Sequence, residues 1–120
     1  MRIEKRIEEI LPGWRARQAQ MLKEHGEVKI ADVTIDQVYS GIRGVPIGVS
    51  DISYVDPQEG LRLRGYSVNE VLELLPKARG AEYPLVGGLY YLLMTGEIPS
   101  QEEAEQIEVE WKIRSNLPDH

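Results

Sequence analysis

Few side chains in this sequence are suited to catalysis. It holds 2 histidines and no cysteine, so thiol nucleophiles, disulfides and thiolate metal sites are excluded. General acid or base work then falls to His25, His120 or a carboxylate with a tuned pKa. His25 sits at a predicted helix end, where a protonated imidazole meets the negative end of the helix dipole favourably. His120 is the last residue. Neither belongs to a His-x-x-x-His pair, and there is no Gly-x-Ser-x-Gly or phosphate-loop motif. The carboxylates number 20, but most fall on predicted exposed helix faces with nothing to raise their pKa. Neither a catalytic residue nor a metal ligand is assigned.

Arg43 is the one position with a binding character. Gly41-Ile42-Arg43-Gly44 sets a guanidinium in a glycine-flanked turn, where backbone can approach a ligand closely. Its planar, permanently charged fork suits phosphate. The plainer reading is a solvated arginine or one paired with a nearby carboxylate. Arg62 and Arg64 are less specific, because strict alternation places both on the polar side of a strand.

The elements that must position these residues are mainly helical. Ile3, Ile7, Ile10 and Leu11 fit a short amphipathic helix that Pro12-Gly13 interrupts. A second helix is predicted from Trp14 to about His25, with Gly26 as a left-handed cap. Val28 to Ile30 and the apolar Val33 and Ile35 suggest a short strand, followed by a brief helix opened by Thr34 and ended by Gly41. A β-hairpin is predicted near residues 47–64, turning at Asp56 to Gly60. Ser67-x-x-Glu70 and Ser100-x-x-Glu103 are capping boxes that open two further helices. The first points Val68, Val71, Leu72 and Leu75 inward and stops at Pro76. The second carries Ile107 and Trp111 and ends at Leu117-Pro118. Between them, Pro84 and Gly96 bracket a helix from Leu85 to Thr95 that has almost no polar face. Such a helix is normally buried on every side, and the other elements are short. The chain therefore reads as built to pack against polypeptide it does not contain.

Composition adds bounds. A chain of 120 residues with 42% hydrophobic and 28% charged residues has an ordinary globular profile. The net charge of −6 argues against nucleic acid as a partner, since phosphate binding wants a basic face. The run from Glu102 to Glu110 reads as a solvated helix face. The longest apolar stretch, Leu85 to Met94, is far short of the ~20 residues that span a bilayer, so no membrane partner is expected. The start, with Glu4, Glu8 and Glu9, lacks the features of a leader or transit peptide. The expected compartment is the cytoplasm.

The run DPQEGLRLRGYSVNEVLELLPKARG, continued by LVGGLYYLLMTGEIPSQEE, resembles citrate synthases of the mitochondrial-type branch and its bacterial relatives. The earlier HGEVKIADVTIDQVYSGIRG and the final EWKIRSNLPDH are similar to the same branch. The resemblance covers nearly all of residues 1–120 and implies an N-terminal segment of a mostly α-helical, homodimeric acyltransferase, with the catalytic remainder absent. It further implies an enzyme of the tricarboxylic acid cycle that condenses acetyl-CoA with oxaloacetate and then hydrolyses citryl-CoA. An aspartate and two histidines do that chemistry in motifs not found here, so the chain alone is expected to be inactive. His120 matches a non-catalytic position, and Arg43 matches an arginine that reaches the phosphates of CoA. No permanently bound cofactor is implied; acetyl-CoA is a substrate. The partner is the rest of the enzyme, as continuing chain or as a complementary subunit, in the mitochondrial matrix if the source is eukaryotic. Two other readings stay open: a non-catalytic assembly or regulatory module on the same scaffold, and part of a methylcitrate synthase or citryl-CoA lyase.

Overall fold

The structure is a computed structural model that describes residues 2–116. It divides into two units, Met1–Pro12 with Ser50–His120, and Gly13–Val49. Helix α1, Ile3–His25, contributes its first turns to the former and the rest to the latter. The architecture is mainly α with one small antiparallel sheet, as the sequence predicts.

The predicted break at Pro12-Gly13 does not occur; Pro12 lies inside α1. An interior proline removes one backbone bond at a cost of about 3 kcal/mol. Here the flanks are rich in Glu, Lys, Arg, Gln and Leu, strong helix formers that carry the helix across the gap. Lys23 and His25 complement the dipole in the last turn. Gly26 is not the left-handed cap expected, since its φ is not positive. Its N–H reaches Leu22 O at 2.9 Å, and a Cβ there would lie 2.4 Å from that oxygen, so close approach is what demands glycine.

Residues 28–33 form no strand. Gly13–Val49 holds no second strand to pair with, and a lone strand leaves its backbone groups to water. The brief helix after it is present: α2, Ile35–Tyr39, opens on Thr34 in a reciprocal capping box with Gln37.

In the other unit, β1 (Ser53–Asp56) pairs antiparallel with β2 (Gly60–Leu63), with Ser53 opposite Leu63 and Asp56 opposite Gly60. The turn forms where predicted: Asp56 Oδ1 accepts the N–H groups of Gln58 and Glu59, each at 2.8 Å. A third strand, β3 (Tyr66–Ser67), pairs with β2 and has no counterpart in the sequence reading. It folds back through Arg64 and Gly65, both at positive φ (50° and 87°), the combination that two-residue hairpins of the I′ kind require.

Helices α3 (Val68–Leu74) and α5 (Gln101–Arg114) open on the capping boxes of Ser67 and Ser100. The predicted stop at Leu117-Pro118 lies outside the described residues. Val71, Leu75 and Leu92 form the core, with Leu63, Tyr66, Leu89 and Ile98 packed on it; Val68, predicted inward, is exposed. Helix α4, Val86–Thr95, buries Gly87, Gly88, Tyr91, Leu92 and Thr95. A Cβ on Gly87 would stand 2.6 Å from Ala104 O, so glycine lets α4 and α5 close up. Glu108, expected on a solvated face, instead accepts the Gly87 N–H at 2.7 Å and satisfies a free donor of the first turn of α4. The chain thus covers one face of α4 by itself. Val86, Tyr90 and Met94 on that helix remain exposed, with Tyr90 edge-on to Trp111 at 5.3 Å between ring centroids.

Candidate functional site

Each arginine singled out in the sequence has its own setting. Arg43 follows α2. Ser40 donates to Asp36 O at 2.8 Å, then Ile42 N–H reaches back to Gln37 O at 2.7 Å, and Val45 N–H closes on Ile42 O at 3.2 Å. Gly41, Ile42 and Gly44 all have positive φ, at 82°, 62° and 72°. Glycine takes that conformation freely; for β-branched Ile42 it costs on the order of 1–3 kcal/mol. The loop is therefore a strained, left-handed cradle with Arg43 inside it. Arg43 is exposed, and its guanidinium has no ion-pair partner among the described residues. Of the two plainer settings, the carboxylate pair is not made and the solvated one is what the structure has, so the charge is open to an anion.

Arg64 is the opposite case. Alternation put it beside Arg62 on a polar face, but the left-handed turn takes it out of register, and its side chain is only 9% exposed. Its Nε and Nη2 donate to Leu93 O at 3.0 and 2.6 Å, and Nη1 meets Asp51 Oδ1 at 2.9 Å. It places a cation on the last carbonyls of α4, where the dipole favours one. Arg62 pairs with Glu59 and donates to Gly65 O at 3.0 Å. An open groove of about 200 Å³ runs past Ser50, Tyr54 and these two arginines. Both guanidinium groups are already held by protein acceptors, so the groove is scaffold.

Among the described residues the carboxyl groups with shifted pKa offer no acid–base pair. Glu97 lies below the usual carboxylate range because Arg6 donates to it, with Nε to Oε2 at 2.7 Å. Asp56 is lowered by the N–H groups of Glu59 and Gln58, and Glu70 by that of Ser67. Burial pushes Glu103 upward, but the N–H and hydroxyl of Ser100 outweigh it and the net shift is down. A carboxyl that donates a proton near neutrality needs a raised pKa, and none of these shifts goes that way. His25 is exposed, 3.8 Å from Glu24 Oε2; His120 lies outside the described residues. Among the described residues no group of three or more His, Asp or Glu could hold a metal, and no helix is long and apolar enough to cross a membrane.

What remains is a helical scaffold in which Arg43 stands exposed in a strained loop, without an ion-pair partner among the described residues. The family model for citrate synthase, C-terminal domain, matches residues 41–120. The chain belongs to the citrate synthase family. It is 42% identical over 118 residues to the peroxisomal citrate synthase of Saccharomyces cerevisiae, covering 98% of this chain and 26% of that protein. With the mitochondrial citrate synthase of Xiphias gladius it shares 41% over 114 residues, 95% of this chain and 24% of the relative. The mitochondrial citrate synthase of Emericella nidulans shares 45% over 108 residues, 90% and 23% respectively. The chain thus spans about a quarter of the length of these curated relatives.

Sequence reasoning about this citrate synthase segment singled out Arg43 and its glycines correctly as a distinct loop, but missed two residues that hold the arginines. Gln37 was visible only as the fourth residue of a Thr-x-x-Gln cap. Asp51 carried no local signal at all.

Proposed function

We propose that the chain is the N-terminal scaffold of a citrate synthase, which condenses acetyl-CoA with oxaloacetate to give citrate and CoA, and that it works only with the rest of that enzyme. The carrying observation is that no residue of Gly13–Val49 is buried, although Ile30, Ile35, Ile47 and Val49 are 77% exposed or more. Apolar surface is stabilised at about 25 cal/mol per Å² when removed from water, so this unit is shaped to be covered. In this reading the proton-abstracting aspartate and the two histidines come from polypeptide beyond this chain. Arg43 holds the phosphates of CoA, binding that is equal in ground and transition states and so lowers KM without raising kcat. Acetyl-CoA enters as substrate, and the assembled enzyme is a homodimer. The compartment that goes with this reading is the cytoplasm, or the mitochondrial matrix in a eukaryote.

The test is to co-express the chain with the remaining three quarters of a citrate synthase and assay CoA release from acetyl-CoA and oxaloacetate. Association and turnover are expected, with neither piece active alone. Two folded pieces that do not associate would overturn the reading and favour a non-catalytic module. Turnover with propionyl-CoA in preference to acetyl-CoA would move it to a methylcitrate synthase.

A further inference from the structure

We infer that Gln37 is a positioning residue for Arg43, fastening the strained loop to the N-cap of α2; this rests on the reading of Arg43 as the CoA-phosphate arginine. Gln37 uses every polar atom it faces the loop and cap with. Its Oε1 accepts the Thr34 N–H at 3.0 Å and lies 3.3 Å from the Thr34 hydroxyl. Its own N–H donates to that hydroxyl at 3.2 Å. Its backbone carbonyl accepts Ile42 N–H at 2.7 Å, and its Nε2 donates to the Arg43 carbonyl at 3.4 Å. It is also the one residue of α2 that is half-buried, the other four being exposed.

A backbone with three left-handed residues around one arginine persists only where its surroundings over-determine it. Gln37 supplies two of those restraints, one on each side of the Ile42–Arg43 peptide. An amide is the group this position needs. A carboxylate would still accept from Thr34, as glutamate does in ordinary capping boxes, but it has no hydrogen to give to the Arg43 carbonyl. The fixed cap of a helix is thereby transmitted to the base of a long, flexible cation, which lowers the ordering entropy the cation loses on binding phosphate.

The experiment uses the complete, assembled enzyme with acetyl-CoA and oxaloacetate. Gln37→Leu is expected to raise the KM for acetyl-CoA about three- to tenfold, the range for losing one modest hydrogen bond, with kcat and the KM for oxaloacetate unchanged. Gln37→Glu, which keeps the cap, should not restore the KM. In an Arg43→Ala background Gln37→Leu should add nothing, because it acts through a side chain that is gone. Restoration by glutamate, or a full effect of Gln37→Leu without Arg43, would overturn the positioning role. So would an unchanged KM in Gln37→Leu when Arg43→Ala raises it. If Arg43→Ala itself leaves the KM for acetyl-CoA unaltered, the phosphate reading fails and the inference falls with it.

Discussion

The two units of this chain are ordered by different means. Around Ser50–His120 the order comes from burial: Val71, Leu75, Tyr91, Leu92, Ala104 and Ile107 are buried, and Leu92 is fully so. In Gly13–Val49 nothing is buried, yet the segment holds a capped helix and a defined left-handed loop. Its order is written in hydrogen bonds between near neighbours. Such bonds contribute only about 1 kcal/mol each in water, and a five-residue helix is marginal by itself. The contrast teaches that local chemistry can set the shape of a segment without supplying the free energy to hold it. In this chain of the citrate synthase family the unit that carries Arg43 is the one with no buried residue.

The same kind of truncation made in both units separates these two sources of order. Leu92→Ala removes a fully buried side chain and should cost about 2–5 kcal/mol, read as a fall in the denaturant midpoint of this chain. Ile30→Ala, at a residue 77% exposed, should change the stability of the chain by under about 0.5 kcal/mol. In the assembled enzyme the Ile30 variant should become clearly destabilising. Equal effects of the two in the isolated chain would mean that Gly13–Val49 has a core after all.

Next in size is Arg64→Ala, which probes whether the core unit also depends on polar restraint. The variant strips Leu93 O of both donors and leaves Asp51 unpaired. Charged hydrogen bonds of this kind contribute about 1.5–3 kcal/mol, so the midpoint should fall by that amount. Arg64→Lys should recover only part of it, since an ammonium cannot hold the carbonyl and the carboxylate in one planar fork. No change in either variant would show that apolar packing alone closes the end of α4.

Much of this was legible in the sequence wherever the controlling partner lies within a few residues. The Asp56 turn, the boxes of Ser67 and Ser100, the helix start at Thr34, and the glycines around Arg43 all act over that range. Most of the failures share one cause. Val28 to Ile30 looked like a strand because periodicity reports a face, not whether a pairing strand exists. Arg64 looked like one of an alternating pair because an Arg-Gly turn lacks the Asn-Gly or Asp-Gly signature of a tight hairpin, and its acceptor, Leu93, is 29 residues away. Helix α4 read as apolar all round and expected to be buried on every side; the chain itself buries one face and leaves Val86, Tyr90 and Met94 exposed. Which face the chain covers was decided by Gly87 meeting Ala104, a contact with no sequence pattern. Pro12 was misread because a local penalty was weighed without the propensity of the residues on both sides.

The smallest expected effect concerns the ion pair of Arg6 with Glu97, which ties the first turns of α1 into the core unit across 91 positions of sequence. Glu97 is held below its ordinary value of 4.5, first by the hydrogen bonds from Arg6. A carboxylate whose folded pKa is depressed stabilises the fold at pH values above its unfolded pKa. That contribution is lost as pH falls through the folded value. Acidification below about pH 4.5 should therefore loosen the attachment of α1, an effect kept modest by the partial exposure of both side chains. Glu97→Gln should lower the melting temperature slightly at pH 7 and leave it less sensitive to acid than the parent chain. Hydrogen exchange at Ile7 and Ile10 is the direct readout, with faster exchange expected in the variant at pH 7. If exchange there is unchanged, the half-buried faces of Ile3 and Ile7 hold the helix without help from this ion pair.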